Sequence, residues 1–122
     1  MSITIKRVYE PFAVADGYRV LVDRLWPRGL KKEDVALDAW AKELAPSTAL
    51  RQWFGHAPSR WDGFRHRYAC ELDDLAEHWR PLAERSTRHP VTLLYAARDE
   101  EHNHALVLTT YLNSWLHSHG PR

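Results

Sequence analysis

Two short, uninterrupted apolar runs constrain this chain most: Val20-Leu21-Val22, and Val91 to Ala97 (VTLLYAA). A strand reads as continuously apolar when both of its faces are covered, which is the situation inside a parallel sheet. Parallel neighbours need a long crossover, and the residues between these two runs carry helical periodicity throughout. The second run also leads directly into a further helical segment. A third segment, Ile3 to Tyr9 (ITIKRVY), alternates apolar with polar residues and is rich in β-branched side chains, so it reads as a strand. The expectation is an α/β fold: one small domain with an about three-stranded, mostly parallel sheet and helices on both faces. The domain should occupy residues 1–116, with residues 117–122 as a frayed tail.

The boundaries follow from local chemistry. The buried strand begins at Tyr18 and stops at Trp26-Pro27-Arg28-Gly29, because proline cannot donate to a ladder. Asp38 would cap a short helix running to about Leu44, ended by Pro46. Ser47 would cap a second from Thr48 to Phe54, closed by Gly55. Ser59 with Asp62 resembles a capping box that opens the longest helix, where Trp61, Phe64, Tyr68, Leu72, Leu75 and Trp79 form one apolar stripe. Cys70 falls on the opposite side. A last helix should run from about His102 to Leu116, burying Ala105, Leu108, Tyr111, Leu112 and Trp115.

Composition excludes several classes. With a single cysteine the chain forms no intrachain disulfide and no cysteine-rich zinc site. That usage fits a reducing compartment. No apolar run approaches the roughly 20 residues of a membrane span, and the first residues lack the apolar stretch of a signal peptide. A cytoplasmic location is expected. Net charge is only +1, yet residues 1–32 hold seven Lys or Arg against three acids, while the rest hold ten against thirteen. This local excess suits attraction of an anion. It falls short of the footprint of a dedicated nucleic-acid binder.

In open parallel sheets ligands bind beyond the carboxyl ends of the strands. The first buried strand ends in Asp23, Arg24, Trp26 and Arg28; the second ends in Tyr95, Arg98 and Asp99, with Asn103 and His104 entering the helix. Parallel neighbours would bring the two groups together. Arg24, Arg28 and Arg98 suit bidentate recognition of phosphate or carboxylate, and Trp26 or Tyr95 could pack against the ligand. Asp23 and Asp99 are the candidate acid–base or orienting groups, with Asn103 and His104 as further ligand contacts. Structural roles compete: Asp99 fits a helix N-cap, and Asp23 fits an ion pair with Arg24 or Arg28 that fixes the Trp-Pro-Arg-Gly turn.

Other chemistries fit less well. His102 and His104, like His117 and His119, are two residues apart and face opposite ways on a helix, unlike a metal-binding i, i+4 pair. No protein-bound metal and no cofactor are expected. Cys70 lacks a local activating partner, and Ser47 sits where a helix cap belongs rather than a nucleophile elbow. The five glycines form no phosphate-cradling loop. Of six tryptophans, Trp26 and Trp53 are the ones not explained by helical packing, and Trp26 could stack on a ring or an arginine.

Arg19 to Gly29 (RVLVDRLWPRG), Ala45-Pro46-Ser47, Trp61 to Leu72 (WDGFRHRYACEL), Leu93 to Asp99 (LLYAARD) and His102-Asn103-His104-Ala105 together resemble the YeaO-like family. This is a bacterial domain-of-unknown-function family of the DUF488 class. The resemblance spans nearly the whole chain in order and implies a small α/β fold. It implies no activity, and a methyltransferase label carried by some members finds no support in a chain of this size without a glycine-rich loop. Three functions remain in competition. The first is recognition of a small anion, with or without catalysis. The second is a nucleic-acid or nucleotide module stacking on Trp26 or Trp53. The third is a non-catalytic protein-interaction domain anchored by the Trp-Pro-Arg turn.

Overall fold

The structure, a computed structural model, describes residues 3–119. It contains strands β1 (Ile3–Arg7), β2 (Tyr18–Leu21), β3 (Ala39–Trp40) and β4 (Val91–Tyr95), with helices α1 (Thr48–Phe54), α2 (Trp61–Asp73), α3 (Ala76–Arg85) and α4 (His104–His119). The strands form one parallel sheet in the order β1-β4-β2-β3. The two apolar runs are therefore adjacent parallel strands, with Val20 opposite Leu93 and Leu21 opposite Leu94.

The sheet has four strands rather than the expected three. The addition, β3, is two residues long, too short to carry any periodicity. It lies where a helix capped by Asp38 was expected. Asp38 instead faces the sheet: its carboxylate accepts the Arg19 N–H at 2.8 Å and its own N–H donates to the Arg19 carbonyl at 2.9 Å. Only a 3-10 turn, Lys42–Leu44, survives of the expected helix.

The two sheet faces are covered differently. Ile3, Val20, Val22, Val91, Leu93 and Tyr95 pack against residues from all four α-helices in the main core. On the other face Val8, Leu21 and Leu94 are covered by Trp26, Leu30, Val35, Leu37 and Trp40, from a segment whose one helical turn is 3-10. Alongside them Lys6, Asp16 and Arg19 form a largely buried ionic cluster, with Asp16 accepting from both basic groups. A parallel sheet cannot leave a face wet, and here loop and turn residues cover the side that helices leave open.

Helix α1 runs from Thr48 to Phe54 as expected, with Ser47 Oγ accepting the Leu50 N–H at 3.1 Å and Gly55 closing it in the left-handed region. The aromatic stripe is buried at Phe64, Tyr68, Leu72 and Trp79, but it spans two helices. The Leu72 carbonyl, which would accept from Ala76 in an unbroken helix, takes the Leu75 N–H at 2.9 Å and the Trp79 indole N–H at 2.7 Å. The expected capping box is absent. Ser59 lies in a 3-10 turn, Arg60 precedes the helix without a side-chain cap, and Asp62 pairs with Arg65 at 2.6 Å. At 16 residues α4 is the longest helix. It starts at His104 because Asn103 Oδ1 accepts the Leu106 N–H at 3.0 Å. It continues to His119, into the segment expected as a tail; residues 120–122 lie outside those described. Among the described residues no helix is long and apolar enough to cross a membrane.

Candidate functional site

At the carboxyl end of the sheet, β2 and β4 finish level with each other, and Val22 N–H still donates to the Leu94 carbonyl at 3.0 Å. The next residue, Asp23, joins the two strand ends to the start of α4. One of its carboxylate oxygens accepts the Ala96 N–H at 3.1 Å, and the other lies 3.0 Å from His104 Nε2. Its carbonyl accepts the Trp40 indole N–H at 2.7 Å. Asp23 is therefore a junction between three segments, and the expected ion pair with Arg24 or Arg28 does not form.

Two adjoining cavities open at this edge. The outer, about 950 Å³, is bordered by Arg7, Arg28, Arg51, Arg98 and Asp99. The inner, about 190 Å³, is bordered by Arg24, Phe54, Phe64, Asn103 and His104. Asp23, Leu25, Arg51, His56 and Ala97 line both, so they form one cleft. Of the residues expected at the site, Asp23, Arg24, Arg28, Arg98, Asp99, Asn103 and His104 all border it.

Two others do not serve as imagined. Tyr95 is 2% exposed and packs in the main core; its hydroxyl is held above its ordinary range mainly by burial, reinforced by Glu100. Trp26 reaches the outer cavity, but its ring lies edge-on to Trp40 at 5.3 Å and its indole N–H donates to the Leu30 carbonyl at 2.6 Å. Trp53, the other stacking candidate, is already covered by Arg67 at 4.0 Å and Arg60 at 5.2 Å.

The charged groups divide into engaged and free. Arg7 donates to the carbonyls of Ala97 at 3.0 Å and Ala96 at 3.2 Å, and so braces the end of β4. Arg24 donates to the Pro46 carbonyl at 3.3 Å, holding the Ala45-Pro46-Ser47 turn against the cleft. That turn is fastened from behind by Glu71, which accepts from the Ser47 N–H at 2.8 Å and from its hydroxyl at 2.6 Å. Asp99 is not the cap of α4. Its Oδ1 accepts the N–H groups of Glu101 at 2.9 Å and His102 at 3.0 Å, and its Oδ2 lies 3.1 Å from His102 Nδ1. The Glu101 bond, aided by His102, holds its carboxyl below the usual range. By contrast, none of the ion pairs among the described residues uses Arg28, Arg51 or Arg98. No group of three or more His, Cys, Asp or Glu among the described residues is placed to hold a metal ion.

Sequence reasoning missed Arg7, Arg51 and His56. Arg7 was absorbed into the alternation of β1, and Arg51 into α1, where it lies four residues after the cap. His56 follows Gly55 into the left-handed region, with φ of 56°. Among the described residues it is the one non-glycine residue with positive φ, a conformation uncommon outside glycine and enriched at functional sites. The Gly55 closure of α1 was legible; the second left-handed residue after it had no separate sequence signal.

Over residues 2–121 the sequence matches the family described as "Inactive DUF488-N3 subclade". It is 49% identical over 114 residues to the uncharacterised protein YeaO of Escherichia coli, covering 93% of this chain and 99% of that protein. It is 45% identical over 113 residues to the uncharacterised protein Rv3073c of Mycobacterium tuberculosis, covering 91% of this chain and 93% of that protein. No solved structure matches it. With one family description covering nearly all of its residues and such relatives along their whole length, the chain belongs to the YeaO-like branch of the DUF488 family.

Proposed function

We propose that the protein recognises a small phosphate- or carboxylate-bearing molecule in the strand-end cleft and binds it without turning it over. The observation that carries this reading is the meeting of Arg28, Arg51 and Arg98 around one cavity, with no carboxylate among the described residues paired to any of them. Guanidinium groups in that state are ready to take a planar anion bidentately. An outer cavity of about 950 Å³ suits a small molecule. Both candidate acid–base groups are engaged by the protein itself: Asp23 at the Ala96 N–H and Asp99 in the 99–102 turn. The matching family is described as inactive, which favours binding over catalysis for this chain too. Stacking on Trp26 or Trp53 is disfavoured by the partners those rings already have.

Calorimetric titration with inorganic phosphate and with succinate, at low and high salt, tests the reading. Binding should weaken with salt, because the guanidinium groups at the cleft mouth are exposed to screening. Arg28→Ala and Arg98→Ala should each weaken it by about 1.5–3 kcal/mol, the range for a hydrogen bond to a charged group, with little change in melting temperature. Arg88→Ala, on a separate surface, should leave it unchanged. Loss of stability in Arg28→Ala with binding intact would instead make Arg28 a brace of the Trp-Pro-Arg-Gly turn and move the protein-interaction reading ahead.

A further inference from the structure

The inner cavity is lined by apolar residues that include Phe54, Phe64 and Pro46 and by polar ones that include Asp23, Asn103 and His104. At about 190 Å³ it is too small for a whole metabolite. It has room for a head group of a few heavy atoms whose remainder extends into the outer cavity. The polar lining at His104 has a defined hydrogen-bonding character. His104 Nε2 lies 3.0 Å from the Val22 carbonyl oxygen and 3.0 Å from Asp23 Oδ1. Both neighbours can only accept, so Nε2 carries the ring hydrogen, which it donates to the Val22 carbonyl. In the neutral imidazole the other nitrogen, Nδ1, is then a bare acceptor.

Among the described residues Nδ1 has no hydrogen-bond partner. It is also not sealed in the core, where the buried side-chain polar atoms without a hydrogen bond among those residues are Asp23 Oδ1 and Thr109 Oγ1. The 16% of the His104 side chain that remains exposed borders the inner cavity. The hydrogen bond to the Val22 carbonyl fixes the ring's tautomer and angle, in the way a second group orients a ligand-binding histidine, and the Asp23 carboxylate beside Nε2 favours the same tautomer by its charge.

We propose that His104 Nδ1 accepts a hydrogen bond from the ligand, so that the molecule recognised is bipartite: an anionic end at Arg28, Arg51 and Arg98, and a neutral N–H donor, such as a carboxamide or ring N–H, at the other. This rests on the anion-binding reading above and adds a second recognition element to it. Asp23 is a positioning residue here, acting on His104 through the charge it places beside Nε2.

Succinamate and levulinate are matched probes. Each carries a carboxylate and, at the far end, a carbonyl bearing NH₂ in the first and CH₃ in the second. Succinamate should bind about tenfold tighter by calorimetry, the worth of one hydrogen bond to a fixed acceptor. His104→Phe should level the two affinities while leaving the dependence on Arg28 intact. Equal binding of both probes by the unaltered protein, still dependent on Arg28, would overturn the His104 proposal and leave the anion reading standing. Binding of neither would overturn the anion reading itself, and the His104 proposal with it. A readout free of any variant comes from the imidazole ¹H–¹⁵N spectrum of the unaltered protein. It should show His104 protonated at Nε2, with Nδ1 shifting on addition of succinamate and not of levulinate. A His104 protonated at Nδ1, whether at that nitrogen alone or as the imidazolium, would overturn the proposal.

Discussion

Asp16 receives hydrogen bonds from Lys6 Nζ at 3.0 Å, from the Ala13 N–H at 3.1 Å and from the Arg19 guanidinium, outside the residues that line the cleft. Burial raises its carboxyl, but those donors outweigh burial and hold it below its ordinary value of 3.8. A depressed carboxylate contributes stability above its unfolded-state value and loses it as pH falls through the folded one. The contribution is therefore full at neutral pH and disappears in acid, below the ordinary carboxylate range. Asp16→Asn should cost about 3 kcal/mol, because it leaves Arg19, 3% exposed, without its counter-charge. It should also flatten the acid limb of the stability curve measured by urea unfolding. Asp62→Asn removes an ion pair whose partners are 55% and 87% exposed, and should cost less than about 0.5 kcal/mol. Equal effects of the two would mean that the buried cluster stabilises no more than a surface pair. None of this cluster was legible beforehand: Lys6, Asp16 and Arg19 read as members of a basic N-terminal third, and only the sheet register sets them on one covered face.

At the scale of elements, legibility tracked length and punctuation. The Ser47 cap and the Gly55 stop enclose α1, and its bounds were readable. The β2 and β4 runs were readable because both faces are buried, and their pairing followed from the helical crossover. The two-residue β3 was not, since Asp38 is as good a helix cap as it is a sheet-edge acceptor. The break between α2 and α3 was hidden because the aromatic stripe keeps its phase across it, and the indole of Trp79 creates the break only once folded. Gly17, ahead of β2, has φ of 67°, and a Cβ there would lie 2.3 Å from the Pro90 carbonyl oxygen. Gly29, in the turn after Pro27, has φ of 80° but open space around it. Gly17→Ala should therefore cost more than Gly29→Ala, roughly 3 kcal/mol against roughly 1 kcal/mol, the second being the left-handed backbone cost alone. Thermal unfolding of both variants checks this, and equal losses would show that the approach to Pro90 does not constrain the start of β2.

Over the whole molecule, the order β1-β4-β2-β3 puts the two most buried strands side by side at the centre. Their carboxyl ends, with the start of α4 and the Ala45-Pro46-Ser47 turn, surround the cleft. The general preference for sites at this edge was enough to name eight of the residues that line it. It could not supply Arg51 and His56, which reach the cleft from α1 and its left-handed exit only through the packing of α1 on α2. The most direct test of the account is where a small anion binds. A ¹H–¹⁵N titration of the protein with inorganic phosphate at low ionic strength reads this residue by residue. The account predicts saturable shifts concentrated at Arg28, Arg51, His56 and Arg98, with the surface around Arg85, Arg88 and His89 silent. Saturable shifts centred on that second surface, or no saturable shift at the cleft, would contradict it.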